Sequence, residues 1–259
     1  MVGEYLPQCR PAQCKDNMNA IPVYLRVDAH PQAQACAACE VRRTALFGAL
    51  DARTLEQIHE RIVEVDLEPE GMLYRSHEQG AVVYTIREGI VRFERVTQAG
   101  ERRIVRLAGR GDLIGQEALV RQVYADEAIA CTNVKLCRIP SALVDRLGDH
   151  QVALLRELMQ RWQRELEEAH FWIADLAMGP ARRRVLRLLL KLSEYADADA
   201  TIWLPRREEM AVMLDMAVET ASRIISQLGR EGVLQATRAR STKVDLAVLT
   251  HTARLQDEA

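Results

Sequence analysis

Between residues 152 and 176, apolar side chains recur at alternating steps of three and four: Val152, Leu155, Met159, Trp162, Leu166, Ala169, Ile173 and Leu176. A strand cannot present that series on one face, because its period is two. A helix can, and at a mean step of about 3.5 residues the stripe stays turned toward a single partner helix. Arg, Glu and Gln fill most of the intervening positions, so the stripe is narrow. A narrow seam suits a facing helix better than burial in a broad core. The alternative is one helix lying on its own β domain. Gly179-Pro180 ends the segment.

On either side the pattern changes. From Val63 to Pro140 the chain runs in short β-rich stretches, Val82-Val83-Tyr84-Thr85-Ile86, Ile90-Val91-Arg92-Phe93 and Arg103-Ile104-Val105-Arg106-Leu107. Gly71, Gly80, Gly89, Gly100, Gly109, Gly111 and Gly115 break them at intervals mostly near ten residues, which predicts an antiparallel barrel or jelly roll. Residues 1–40 show no periodicity and read as an irregular arm, and Asp51 caps a short helix carrying Leu55, Ile58 and Ile62. Beyond the seam, a helix over 181–195 turns Val185, Leu188, Leu189 and Leu192 inward and Arg182-Arg183-Arg184 outward as a solvated face. Two short helices, Arg207–Leu214 and Val218–Gly229, are joined by Asp215-Met216-Ala217. A small β-wing is expected over 235–249.

Composition excludes several classes. A chain of 259 residues with 48% hydrophobic and 28% charged side chains is folded rather than disordered, and no apolar run approaches the ~20 residues of a membrane span. The first residues lack the basic and apolar regions of a signal peptide, so a cytoplasmic protein is expected. The net charge is −2, yet residues 179–245 carry 12 Lys or Arg against 9 Asp or Glu, a mild bias toward a nucleic-acid-binding end. No Walker motif, nucleophile elbow, His-Glu-x-x-His or dinucleotide fingerprint occurs, and an enzyme is not expected. The pair Glu208-Glu209 reads as solvated.

A β-roll, a long dimer helix and a winged helix-turn-helix in this order resemble the CRP/FNR family of bacterial transcription regulators, over about residues 36–248. The most specific stretches are Ile86-Arg87-Glu88-Gly89-Ile90-Val91, Gly111-Asp112-Leu113-Ile114-Gly115 and Val218-Glu219-Thr220-Ala221-Ser222-Arg223. The resemblance implies an α+β homodimer divided into an arm (1–40), a β-roll of the cyclic-nucleotide-binding type (41–148), a dimerisation helix (149–178) and a winged helix-turn-helix (179–259). It also implies duplex DNA and RNA polymerase as partners. Glu219, Ser222 and Arg223 share one face of the second short helix, beside Thr220. A carboxylate accepts from cytosine N4, and a guanidinium donates to guanine O6 and N7. In the FNR-like branch this pattern reads TTGAT-N4-ATCAA palindromes. The competing reading is an i,i+4 surface ion pair between Glu219 and Arg223.

The sensor is read from what the roll lacks and what the cysteines offer. Where the cyclic-nucleotide branch has a ribose-binding carboxylate, this chain has Gln116 after Gly115, and Asp126 and Glu127 stand near the phosphate position. No cyclic nucleotide is expected. Of Cys9, Cys14, Cys36, Cys39, Cys131 and Cys137, the resemblance to FNR-type regulators places Cys36, Cys39 and Cys137 on ligand positions of a [4Fe-4S] cluster. Ala45 occupies the place of the remaining arm cysteine, and Cys14 is the chosen fourth ligand, with Cys9 and Cys131 as alternatives. Zinc, a reversible Cys36–Cys39 disulfide, a haem or no ligand at all remain open for the same roll. Cys131 is expected to be an ordinary buried thiol on the same strand face as Cys137.

Overall fold

Short runs rich in Val, Ile and aromatic residues between glycine turns produce two four-stranded antiparallel sheets. One has the order β1 (Val63–Leu67), β8 (Val134–Pro140), β3 (Val82–Glu88), β6 (Leu113–Ile114). The other runs β2 (Met72–Tyr74), β7 (Glu127–Ala130), β4 (Val91–Val96), β5 (Arg102–Ala108). The computed structural model describes Val41, Leu46 and residues 62–148, 151–238 and 240–257. The arm with Cys9, Cys14, Cys36 and Cys39 lies outside them, as does the helix expected after Asp51 except for Ile62, which is buried in the roll. Ile86, Ile114, Leu136 and Ile139 fill the space between the sheets with Tyr74, Tyr84 and Tyr124. The β3–β4 turn depends on Gly89 at φ 88°, where a Cβ would sit 2.3 Å from the Asn133 carbonyl oxygen. No other residue type fits there.

After α1 (Ser141–Gly148) comes the long helix α2 (Val152–Phe171), which continues into a single π turn over Trp172–Leu176. Leu154, Leu158 and Arg161 form its buried face against the roll. The opposite face exposes Val152, Leu155, Met159, Trp162, Leu166, Ala169 and Ile173 as one unbroken stripe. Leu176 does not belong to that stripe. The Ala177 amide donates to the Trp172 carbonyl, an i→i+5 bond of 3.0 Å, and the wider turn carries Leu176 round to the side of Trp172. There it is fully buried in the core of the following unit. A heptad extrapolated on ideal α geometry ends one step too late.

That unit consists of α3 (Ala181–Ser193), β9 (Thr201–Trp203), α4 (Arg207–Leu214), α5 (Val218–Arg230), β10 (Leu234–Arg238), β11 (Ser241–Val244) and α6 (Leu246–Asp257). The wing is a three-stranded sheet of order β10-β11-β9. Neither β9 nor α6 was signalled by the sequence pattern. Val185, Leu186, Leu188, Leu189 and Leu192 on α3 are fully buried and join Trp172, Leu176, Met210, Leu214 and Leu228. The same core takes in Ile90, Ile104 and Leu107 from the outer side of the roll. The arginines of α3 are not a solvated face. Arg182 pairs with Glu231, Arg183 with Asp175 and Asp257, and the Arg184 guanidinium donates to the Ala177 carbonyl.

Because Leu176 is a core residue and not a seam residue, Leu176→Ala should lower unfolding stability by about 2–5 kcal/mol, the cost of a large-to-small change at a buried leucine. Urea denaturation measures the loss. Light scattering on the same variant should show no change of oligomeric state.

Candidate DNA interface and sensor roll

Helix α4 starts with a one-sided cap: the Arg206 backbone amide donates to Glu209 Oε2 at 2.6 Å. It ends at Asp215, whose φ of 51° reverses the chain, an αL position that Asp tolerates better than most residues. Ala217 is extended, its carbonyl accepts from the Thr220 and Ala221 amides, and α5 begins at Val218. Ala221, Ile224, Ile225 and Leu228 pack α5 onto its own unit. This leaves Glu219, Ser222 and Arg223 exposed on the outer face, with Thr220 half-buried beside them. Among the described residues no ion pair joins Glu219 to Arg223, so both charges are free to meet base edges. In helix-turn-helix docking the N-terminal part of the second helix enters the major groove, and these residues occupy that part.

In the roll, Gly115 leads into a 3₁₀ turn over Gln116–Val120. Gln116 is buried, and its Nε2 donates to the Leu113 carbonyl at 3.2 Å. Tyr124 stacks on Tyr74 with centroids 3.9 Å apart, and its hydroxyl donates to the Val82 carbonyl. Asp126 is not the bare negative charge that the sequence suggests. Both its oxygens accept from Arg95, at 2.6 and 3.1 Å, so much of the repulsion it would exert on a phosphate is cancelled. Glu209 is likewise not solvated, since Arg240 Nη2 lies 2.8 Å from each of its oxygens.

A cavity of about 870 Å³ opens between the roll, α2 and the following unit. Three of the cations lining it are paired: Arg106 with Glu165, Arg161 with Glu157, and Lys191 with Glu168. Burial raises the Glu165 carboxyl above its ordinary range, against the opposing pull of Arg106.

The two described cysteines differ in kind. Cys137 lies on β8, opposite Glu64 on one side and Thr85 on the other, and is half-buried. Cys131 is not on that strand face. It follows β7, its amide donates to the Ile90 carbonyl at 2.8 Å, and the turn at Thr132-Asn133 separates it from β8. Its side chain is 2% exposed and belongs to the core shared with the C-terminal unit. Burial pushes the Cys131 thiol up to about 12, with Arg92 acting in the opposite direction. Among the described residues no three His, Cys, Asp or Glu side chains are grouped to hold a metal ion. No described helix is long and apolar enough to cross a membrane.

A β-roll joined by a long helix to a winged helix-turn-helix with an exposed recognition face defines a DNA-binding regulator. A cyclic nucleotide-binding domain model matches residues 64–151, and a Crp-like helix-turn-helix domain model matches residues 183–252. The transcriptional regulatory protein btr of Bordetella pertussis is 24% identical over 228 residues, covering 85% of this chain and 94% of its own. The nitrogen fixation regulation protein FixK of Bradyrhizobium diazoefficiens is 27% identical, covering 79% and 87%. The structure of FixK2 from Bradyrhizobium japonicum superposes with a TM-score of 0.68 at 23% identity, over 76% of this chain and 98% of that one, a likeness of fold. The chain belongs to the CRP/FNR family of transcription regulators.

Two outcomes follow from this geometry. Arg223→Ala should weaken binding to a cognate duplex by about 1–3 kcal/mol and relax discrimination at one guanine, as read by competition with base-substituted duplexes. Equal weakening on random DNA would mean that Arg223 touches only phosphate. In the native protein at pH 8, a buried thiol with its proton held to about pH 12 should resist alkylation, so peptide mass spectrometry should find Cys131 unmodified until the protein is denatured.

Proposed function

We propose that this regulator works as a homodimer that reads TTGAT-N4-ATCAA palindromes and responds to oxygen, redox state or nitric oxide through its cysteines. The observation that carries the sensing part is the contrast between Cys137 and Cys131. The first is half-buried on a strand of the roll, while the second is sealed in the core shared with the DNA-binding unit. A ligand for a cluster held by the arm must be reachable from the surface of the roll, and Cys131, enclosed beneath the DNA-binding unit, is not. Cys137 therefore fits an iron–sulfur ligand and Cys131 does not, while Cys14, Cys36 and Cys39 lie outside the described residues. A [4Fe-4S] cluster held by Cys14, Cys36, Cys39 and Cys137 would supply a centre that oxidants attack. The printed names of two relatives support this reading: anaerobic regulatory proteins of Aggregatibacter actinomycetemcomitans, 23% identical, and of Pasteurella multocida, 22% identical.

The chain's own residues would act on the helix. Drawing the arm onto β8 ties it to the roll, and that contact shifts an equilibrium only if it favours one state of the dimer. The favoured state joins the exposed stripes of two α2 helices and sets two α5 helices one DNA turn apart. The stripe from Val152 to Ile173 supports the dimer, because so much contiguous apolar surface on one helix face calls for a partner. Cyclic nucleotide has no part in the mechanism: Gln116 replaces the ribose carboxylate and is turned to the Leu113 carbonyl.

Protein purified without oxygen should be brown and contain iron and sulfide. Cys39→Ser and Cys137→Ser should lose colour and anaerobic binding to the palindrome together, whereas Cys131→Ser should lose neither. A colourless anaerobic protein holding zinc or no metal would overturn the sensing part and leave DNA binding intact. Leu166→Glu should give monomers by light scattering and abolish palindrome binding. Calorimetry with cyclic AMP should show no saturable signal.

A further inference from the structure

Where the roll meets the DNA-binding unit, the contact includes one carboxylate on two arginines. Glu70 sits in the turn before β2 at φ 68°, and its amide donates to the Ala130 carbonyl at 2.8 Å, so the roll fixes its place. Its Oε1 accepts from Arg240 Nη1 at 2.6 Å, with Arg206 Nη2 3.9 Å away, while Oε2 accepts from Arg92 Nη2 at 2.7 Å. Arg240 immediately precedes β11 of the wing, and Arg206 caps α4. In helix-turn-helix docking the first helix crosses the DNA backbone, and arginines beside it donate to phosphate oxygens. A carboxylate offers such arginines the same kind of anionic oxygens as a phosphodiester.

We propose that Glu70 is a phosphate surrogate: it occupies Arg240, with Arg206 at its edge, keeps these arginines of the winged unit from meeting DNA phosphates, and so holds down affinity for DNA. The charges around it allow the exchange. On the roll side Glu70 and Glu94 are matched by Arg92 and Arg102, and on the other side Glu209 is matched by Arg240. When a phosphate replaces Glu70 on Arg240, Glu70 keeps Arg92 and Arg240 keeps both oxygens of Glu209. No buried charge is left unpaired, so the exchange avoids the large penalty that breaking a buried pair carries. The hydrogen bond from Arg92, followed by that from Arg240, holds the Glu70 carboxyl down at about 2. The mask is therefore charged throughout the physiological range, and only competition or a movement of the unit removes it.

The inference rests on DNA binding and not on the palindrome or the cluster, so the test uses a labelled mixed-sequence duplex. Fluorescence anisotropy of the full chain is followed from about 50 to about 200 mM salt, where each phosphate contact adds about 0.9 to the slope of log K against log salt. Glu70→Gln should bind more tightly at every salt concentration with a slope close to that of the wild type, because both end with the same phosphate contacts and only the wild type must first free its arginines. Glu70→Gly should do the same, and its backbone suits the positive φ, which protects the fold. In an Arg240→Gln background the gain from Glu70→Gln should shrink to the share of Arg206. An unchanged affinity in both Glu70 variants, or an equal gain with and without Arg240, would overturn the proposal. If neither the wild type nor any variant binds DNA, the DNA-binding reading fails with it.

Discussion

One helix serves three surfaces, and the π turn at Trp172–Leu176 makes that possible. Leu154 and Leu158 bind α2 to the roll, the stripe from Val152 to Ile173 stays outside, and Trp172 and Leu176 enter the core of the DNA-binding unit. A continuous α helix keeps a fixed angular relation between its stripes. One wider turn resets it at the point where the helix passes from one core to the next. Both units are anchored to the same rod, and any rotation of the rod moves them together.

The junction is built from two kinds of contact. Ile90, Ile104 and Leu107 on the roll are buried with the core of α3, α4 and α5, so the outer side of one sheet is also the floor of the DNA-binding unit. Tyr195 at the end of α3 presses on Gly109, where any Cβ would come within 2.3 Å of the ring. Around this apolar contact lie ion pairs that cross the boundary, Glu70 with Arg240 and Arg103 with Asp215. Apolar burial is non-directional and supplies adhesion, while the charged pairs select one orientation and are the part that salt or a polyanion alters.

The two cysteines of the roll show how burial assigns chemistry. Both are thiols near the end of the β-domain, six residues apart in the chain. One lies on a strand with its side chain half-buried, and the other sits beneath the DNA-binding unit where desolvation keeps the proton on sulfur. Reactivity follows the thiolate, so tertiary position alone separates a candidate ligand from an inert core atom.

Much of the architecture was legible in the sequence because it is written in local periods. The step of three and four gave the long helix, and the glycine-broken β runs gave the roll. The run from Arg207 to Gly229 gave the helix-turn-helix with Ala221, Ile224, Ile225 and Leu228 inward, all of which are buried. The short strand Thr201–Trp203 and the helix Leu246–Asp257 were not legible. Three residues are too few to show a period, and the helix buries only Leu249 and Ala253. Leu176 was misassigned, because a heptad is counted on ideal geometry and nothing in the local residues announces a π turn. Glu209, Asp126 and Arg182–Arg184 were read as solvated or bare for a related reason. The partners Arg240, Arg95, Glu231 and Asp257 lie 31 to 74 positions away, and charge pairing across such distances has no local signature; only Asp175 beside Arg183 and the Ala177 carbonyl beside Arg184 are nearer in the chain. The sequence by itself determined which elements form and which faces are apolar, since those depend on neighbours within a turn or a strand. Only the tertiary structure decided which cysteine is sealed, where the helix changes core and which carboxylate holds the wing arginine. Each of these is set by segments that meet only once the chain has closed on itself.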